Sequence, residues 1–294
     1  MSDTNGVIDD DTGVYVPISD PYSFYCLIDY IGATVTSFSI VFEDKLIHLT
    51  QMDNHATILH RMCIYTSNLV DYYLNPGYEM ISFGVDTRVL RSKLKGISKK
   101  SILTLFNNIS KPQEFMATTV SETNTEGGEG TLFISTMRLP EIGPIEVDDY
   151  ITETGEEMKP SLTVQVSDIS KKFGNISNTK CKYAQFDCYA RGMLIRAIVN
   201  GKTDAIVPLG KCANPYNIGE KRAEEINGEL LRSYYISNDN IKPFSKINNV
   251  SPKKSTLRIY YSKDKPLKIA FPVGTIGFHE VFLMSIDPTT MKPV

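Results

Sequence analysis

Four groups of residues in this 294-residue chain have types that could do chemistry, and three of them fail on spacing. His48, His55, His60 and His279 share no ligand spacing with one another or with a cysteine, so they define neither a metal site nor a catalytic base. Gly201-Lys202-Thr203 has the ending of a phosphate-binding loop, but Arg196 stands where such a loop needs its first glycine. The seven carboxylates between Glu141 and Glu157 lie in a stretch opened by Pro140, Gly143 and Pro144, a connector that cannot hold a catalytic pair at fixed distance. No nucleophile, base and orienting group combine, so the expectation is a non-enzyme without cofactor or metal.

The fourth group is basic and occurs twice. Lys99-Lys100-Ser101-Ile102-Leu103, ending at Lys111-Pro112, returns as Lys253-Lys254-Ser255-Thr256-Leu257, ending at Lys265-Pro266, at a constant offset of 154 residues. Seven basic residues face one acid between Gly84 and Pro112, and eight face one acid between Asn240 and Lys268. The net charge is nonetheless only -3. Basic charge confined to repeated segments suits one surface to a polyanion and leaves the rest of the protein mildly acidic. Lysines on repeated helix faces make sequence-independent phosphate contacts, and no base-reading motif accompanies them.

Helices must carry these charges. Asp86 caps a helix whose inner face is Val89, Leu90, Leu94 and Ile97, and Arg88, Arg91, Lys95 and Lys99 share one outer face. In the second half, Ser167 or Asp168 is the expected cap of a helix with Ile169, Phe173 and Ile176 inward and Lys171 and Lys172 outward. Asn238 or Asp239 is the expected cap of a fourth helix, with Ile241, Phe244 and Ile247 inward and Lys242, Lys246 and Lys253 on one face. The first helix starts at Asp20-Pro21 and buries Phe24, Leu27, Ile28 and Ile31. Alternating runs such as Phe38, Ile40 and Phe42 read as strands. The resulting order is helix, strands, helix, strands in each half, an α+β chain with antiparallel sheets.

The expected division is an acidic tail at residues 1–19, a domain at 20–139, an acidic connector at 140–159 and a second domain at 160–294. The polar stretch 210–229 has no counterpart in the first half. Five scattered cysteines without a CxxC read as reduced and mostly buried, and no segment reads as a signal peptide or membrane span. The expected location is inside the cell.

These features resemble the PCNA-type DNA sliding clamps. Leu49-Thr50-Gln51-Met52-Asp53-Asn54-His55 resembles the family's Met-Asp turn with its following histidine. Leu90 to Lys100 and Ser101 to Phe106 resemble its second helix and the next strand. Lys265-Pro266-Leu267-Lys268-Ile269-Ala270-Phe271, followed by Gly277-Phe278-His279-Glu280-Val281-Phe282-Leu283, resembles its closing strands. The likeness spans roughly residues 20–290.

The resemblance implies a ring of three chains with helices lining the hole, which encircles duplex DNA as a polymerase processivity factor, with a clamp loader and clamp-binding-motif proteins as partners. It implies DNA contacts by Arg88, Arg91, Lys95, Lys99, Lys100, Lys171, Lys172, Lys242, Lys246, Lys253 and Lys254. It also implies a partner-peptide pocket at Met52, His55, Pro266, Phe282 and Leu283, with Ile142, Ile145 and Val147 as the connector's candidates. Two features depart from the family. The first helix carries no Lys or Arg, and Ser285 stands where a proline is common. The acidic tail and the 210–229 stretch suggest a divergent member, for which a large DNA virus is a fitting source; the location is then a nucleus or a cytoplasmic replication site. The alternatives are a subunit of a heterotrimeric checkpoint-type ring and a clamp-fold transcription or packaging factor that does not encircle DNA.

Overall fold

The computed structural model of the chain describes residues 8–111, 114–121, 130–135, 150–151, 157–213 and 227–293. It divides into two compact units: Met1–Gln51 with Arg61–Pro144 and Val273–His279, and Met52–His60 with Ile145–Pro272 and Glu280–Val294. Ile142, Ile145 and Val147, most of the acidic connector and most of the 210–229 stretch lie outside the described residues.

The first part of the chain forms β1 (Thr12–Ile18), α1 (Pro21–Ile31), β2 (Ser37–Glu43), β3 (Leu46–Met52), β4 (Ile58–Tyr65), β5 (Tyr73–Leu74), β6 (Met80–Asp86), α2 (Thr87–Leu94), β7 (Ser101–Asn108), β8 (Glu114–Ser121) and β9 (Gly130–Ser135), all of the first unit except Met52 and the first three residues of β4. An antiparallel sheet runs in the order β5-β1-β7-β8-β9, while β2 pairs with β3 and β6. The expected tail therefore ends early. Val14 and Val16 of β1 are fully buried, and Asp11 anchors the segment by accepting from Ser110 N at 2.7 Å and Ser110 Oγ at 2.6 Å.

Helix α1 starts where Asp20 Oδ1 accepts from Ser23 N at 3.1 Å, with Pro21 needing no partner for an N–H it lacks. Phe24, Leu27, Ile28 and Ile31 are buried as their spacing requires. Gly32 follows, and a Cβ there would lie 2.5 Å from Thr87 Cγ2 and 2.7 Å from Arg91 Cδ, so its bareness lets α1 and α2 lie side by side. Helix α2 is capped by Asp86, which accepts from Arg88 N at 2.7 Å and Val89 N at 3.2 Å. Leu90 and Leu94 are buried, but Val89 is 40% exposed and leaves the expected inner face.

The second unit contains β10 (Leu162–Gln165), α3 (Val166–Ser177), β11 (Tyr183–Tyr189), β12 (Gly192–Val199), β13 (Lys202–Gly210), β14 (Leu230–Ser237), α4 (Asn238–Ile241), a 3-10 turn (Lys242–Lys246), α5 (Ile247–Val250), β15 (Thr256–Tyr260), β16 (Leu267–Val273) and β17 (Gly277–Leu283). One antiparallel sheet has the order β13-β12-β11-β14, and β10, β15 and β16 pair in turn. Its core is tied by aromatic rings: Phe173 lies 5.8 Å from Phe186 and 5.2 Å from Phe244, which meets Phe271 at 6.5 Å.

Two helix starts differ from expectation. Helix α3 begins at Val166, one residue before the expected caps, and its N-cap Gln165 makes no side-chain bond. Helix α4 begins at Asn238 itself, after Ser237, which also makes no side-chain cap bond. The fourth helix is not continuous. Pro243 has no N–H to give an α-helical ladder, and the chain tightens into the 3-10 turn there.

Candidate functional site

The repeated basic stretch folds the same way in each unit. In the first, Ser101 N donates to Ser98 O at 3.2 Å, so Lys99 and Lys100 are the central residues of a turn leading into β7. In the second, Ser255 N donates to Pro252 O at 2.9 Å, and Lys253 and Lys254 are the central residues of a turn leading into β15. The serine that follows each pair tightens its turn: Ser101 Oγ accepts from Ser98 N at 2.9 Å, and Ser255 Oγ donates to Pro252 O at 2.6 Å. All four lysines are exposed. A short turn whose inner bonds are satisfied by serine thus holds two ammonium groups in solvent at the end of each helical segment.

This geometry corrects the expected helical stripes. Helix α2 ends at Leu94, so Lys95 is its C-cap and Lys99 lies in the turn, and only Arg88 and Arg91 ride the helix proper. Lys242 and Lys246 sit on the 3-10 turn, and Lys253 is beyond α5.

The cations are also unequal. The Arg91 guanidinium is taken up by the Asp29 carboxylate of α1. Lys172 Nζ lies 2.7 Å from Asp168 Oδ2 one turn away, and Arg88 Nη2 lies 3.3 Å from Asp86 Oδ2. The Arg88 side chain and the backbone N–H groups of Val89 and Arg88 hold the Asp86 carboxyl below its usual range, so it stays ionised as a cap. Lys95, Lys99, Lys100, Lys171, Lys242, Lys246, Lys253 and Lys254 are exposed. By unit, Arg88, Arg91, Lys95, Lys99 and Lys100 fall in the first, and Lys171, Lys172, Lys242, Lys246, Lys253 and Lys254 in the second.

The expected peptide pocket falls within the second unit. Asp53 builds its turn: Oδ1 accepts from Thr57 N at 2.7 Å and Ile58 N at 2.9 Å, and Oδ2 from Thr57 Oγ1 at 3.0 Å and His55 N at 3.3 Å. Asn240 Nδ2 donates to Thr57 Oγ1 at 3.0 Å, and Met284 N donates to Thr57 O at 3.0 Å, fixing the turn to the end of the chain. His55 is exposed, and Met52 and Pro266 are half-buried. Phe282 and Leu283 have no exposed surface, so their side chains belong to the core.

One set of contacts has no signal in the sequence. Glu157, at the far end of the acidic connector, accepts from Tyr260 Oη at 2.6 Å and Arg258 Nη1 at 3.0 Å. Lys268, buried to 2% exposure, places Nζ 2.7 Å from Glu280 Oε1 and 5.5 Å from the centre of the Phe282 ring. Tyr150 Oη donates to Pro266 O at 2.7 Å. The acids of the connector are visible in sequence, but nothing local says which strand they meet. No group of His, Cys, Asp and Glu able to hold a metal ion occurs among the described residues.

The architecture is matched by solved structures. The PCNA2–PCNA3 complex of Sulfolobus tokodaii superposes with a TM-score of 0.70 at 13% identity, over 92% of this chain and 98% of that one. The proliferating cellular nuclear antigen of Entamoeba histolytica gives the same TM-score, identity and coverage. The chain has the PCNA clamp fold. No protein-family model and no curated protein matches the sequence. In each unit the paired lysine turn leads directly into a strand, β7 in the first and β15 in the second, at the 154-residue offset of the repeat.

Proposed function

We propose that the chain is the subunit of a homotrimeric ring that encircles duplex DNA and tethers a polymerase and other DNA-processing proteins, a processivity factor placed on DNA by a loader. The observation that carries this reading is the recurrence of one device, a serine-tightened turn displaying two exposed lysines, once in each unit of a clamp fold. Ammonium groups in water exchange phosphate contacts easily and read no bases, which suits a protein that must hold DNA and still slide. Partner peptides dock at the Met52–His55 turn and beside Pro266. A nucleus, or a cytoplasmic site of viral replication, is the corresponding location.

Replacing Lys99, Lys100, Lys253 and Lys254 by Ala tests the reading. Binding to a 30-base-pair duplex is expected to weaken, and the slope of log affinity against log salt to flatten by roughly one for each phosphate that is no longer neutralised. An unchanged slope with unchanged affinity refutes encirclement through these turns. The second reading, a subunit of a mixed ring, is favoured by one observation: a neighbouring structure is a complex of two different PCNA chains. Light scattering separates the two. A mass near three times the 32.9 kDa of one chain supports the homotrimer, and a persistent monomer supports the mixed ring.

A further inference from the structure

Among the described residues, helix α1 is the one helix of eight residues or more without a lysine or arginine, yet its exposed side is not inert. Its burial pattern leaves only Tyr22, Tyr25 and Asp29 half-exposed, at helical positions i, i+3 and i+7, so they form a single stripe. The charge of Asp29 is taken up by Arg91 of α2, which removes the feature that would repel a phosphate. The ammonium of Lys99 lies 5.6 Å from the centre of the Tyr22 ring, within cation–π range, so the ring steadies one of the turn lysines beside the stripe. A bond to the Cys26 thiol pushes the Tyr22 phenol above its ordinary value.

We propose that Tyr22 and Tyr25 are the nucleic-acid contacts of α1, hydroxyl donors to the phosphates of duplex DNA on a helix that carries no lysine or arginine of its own. This rests on the clamp reading above and adds a second kind of contact to it. Tyrosine hydroxyls are ordinary phosphate partners. A neutral donor releases no condensed counterion, so such contacts contribute affinity without steepening the salt dependence.

That difference makes the proposal testable with the full-length chain and a 30-base-pair duplex, read by fluorescence anisotropy across a potassium chloride series. The double variant Tyr22→Phe and Tyr25→Phe keeps both rings and removes both hydroxyls. It is expected to bind about three- to tenfold more weakly with the salt slope unchanged. Lys99→Ala is expected to flatten the slope by about one. Tyr25→Lys, which puts a cation on the same stripe, is expected to tighten binding and steepen the slope by about one. If the Phe pair binds as the parent does and Tyr25→Lys changes nothing, while Lys99→Ala still flattens the slope, the α1 contacts are refuted and the clamp reading stands. If no variant differs from the parent, both fail.

Discussion

Asp53 accepts four hydrogen bonds within one turn, and two of its donors, Thr57 N and Ile58 N, are backbone groups enclosed by the second unit. Asp53→Ala leaves these donors without an acceptor, and a loss of about 2–4 kcal/mol is expected, read as a lower urea midpoint at constant slope. Asp53→Asn retains one oxygen and is expected to lose less. His60 lies a few residues on and is fully buried. Burial pushes its imidazole down from 6.5 to about 3, against the opposing pull of Asp53. The unfolded chain therefore takes up a proton near pH 6.5 that the folded one refuses until about pH 3. This contribution is complete above pH 6.5 and is lost as pH falls toward 3, by up to ~1.4 kcal/mol for each pH unit. Urea midpoints measured from pH 7.5 to 5 are expected to fall in the parent and to fall less steeply in His60→Gln. Neither role is legible in sequence, because an Asp in a turn and a His in a strand acquire their importance only from what encloses them.

At the scale of elements, legibility follows periodicity. Helices α1 and α3 put Phe24, Leu27, Ile28 and Ile31, and Ile169, Phe173 and Ile176, at helical spacing, and all are buried. Strands β6 and β14 have no clean alternation. In β6, Met80 and Ser82 are exposed with Ile81 half-buried between them, while Phe83, Gly84 and Val85 are buried in succession, and β14 opens on the exposed Leu230 and Leu231. A strand that passes from an edge into a core changes its pattern along its length, and a period of two cannot report it. The basic stripes behave similarly. Spacing alone extends the second helix to Lys99, but the helix stops at Leu94, and what repeats is the turn beyond it. Gly201, which opens the incomplete phosphate-loop match, has a conformational role instead. Asn200 and Gly201 both have positive φ, 50° and 74°, and they form the two-residue link between β12 and β13. Packing between α1 and α2 rests on Gly32, and Gly32→Ala must move both Thr87 and Arg91. A destabilisation of about 1–3 kcal/mol is expected, with a lower thermal midpoint; Gly96→Ala, where a Cβ meets nothing within 4 Å, is the matched control.

For the whole molecule, the sheet edges bear on how copies could assemble. In the first unit the five-stranded sheet ends in β5, only two residues long, and in β9, six residues long. In the second, the outer side of β14 is met by the chain's own end: Ile286 N donates to Tyr235 O at 2.8 Å, and Tyr235 N donates to Ser285 Oγ at 3.1 Å. The opposite edge, β13, is nine residues long and ends its sheet. Among the described residues β13 is the longest strand that ends a sheet, and a strand edge of that kind can be extended by a second chain. Charged residues along an edge oppose strand addition, and Lys202 already stands at the start of β13. Ala205→Lys, at a half-buried position in that strand, is expected to shift the light-scattering mass from about three chains toward the 32.9 kDa of one at the same concentration. It should leave the urea midpoint of the monomer nearly unchanged. A trimer that survives this substitution at micromolar concentration would place the subunit contact somewhere other than β13.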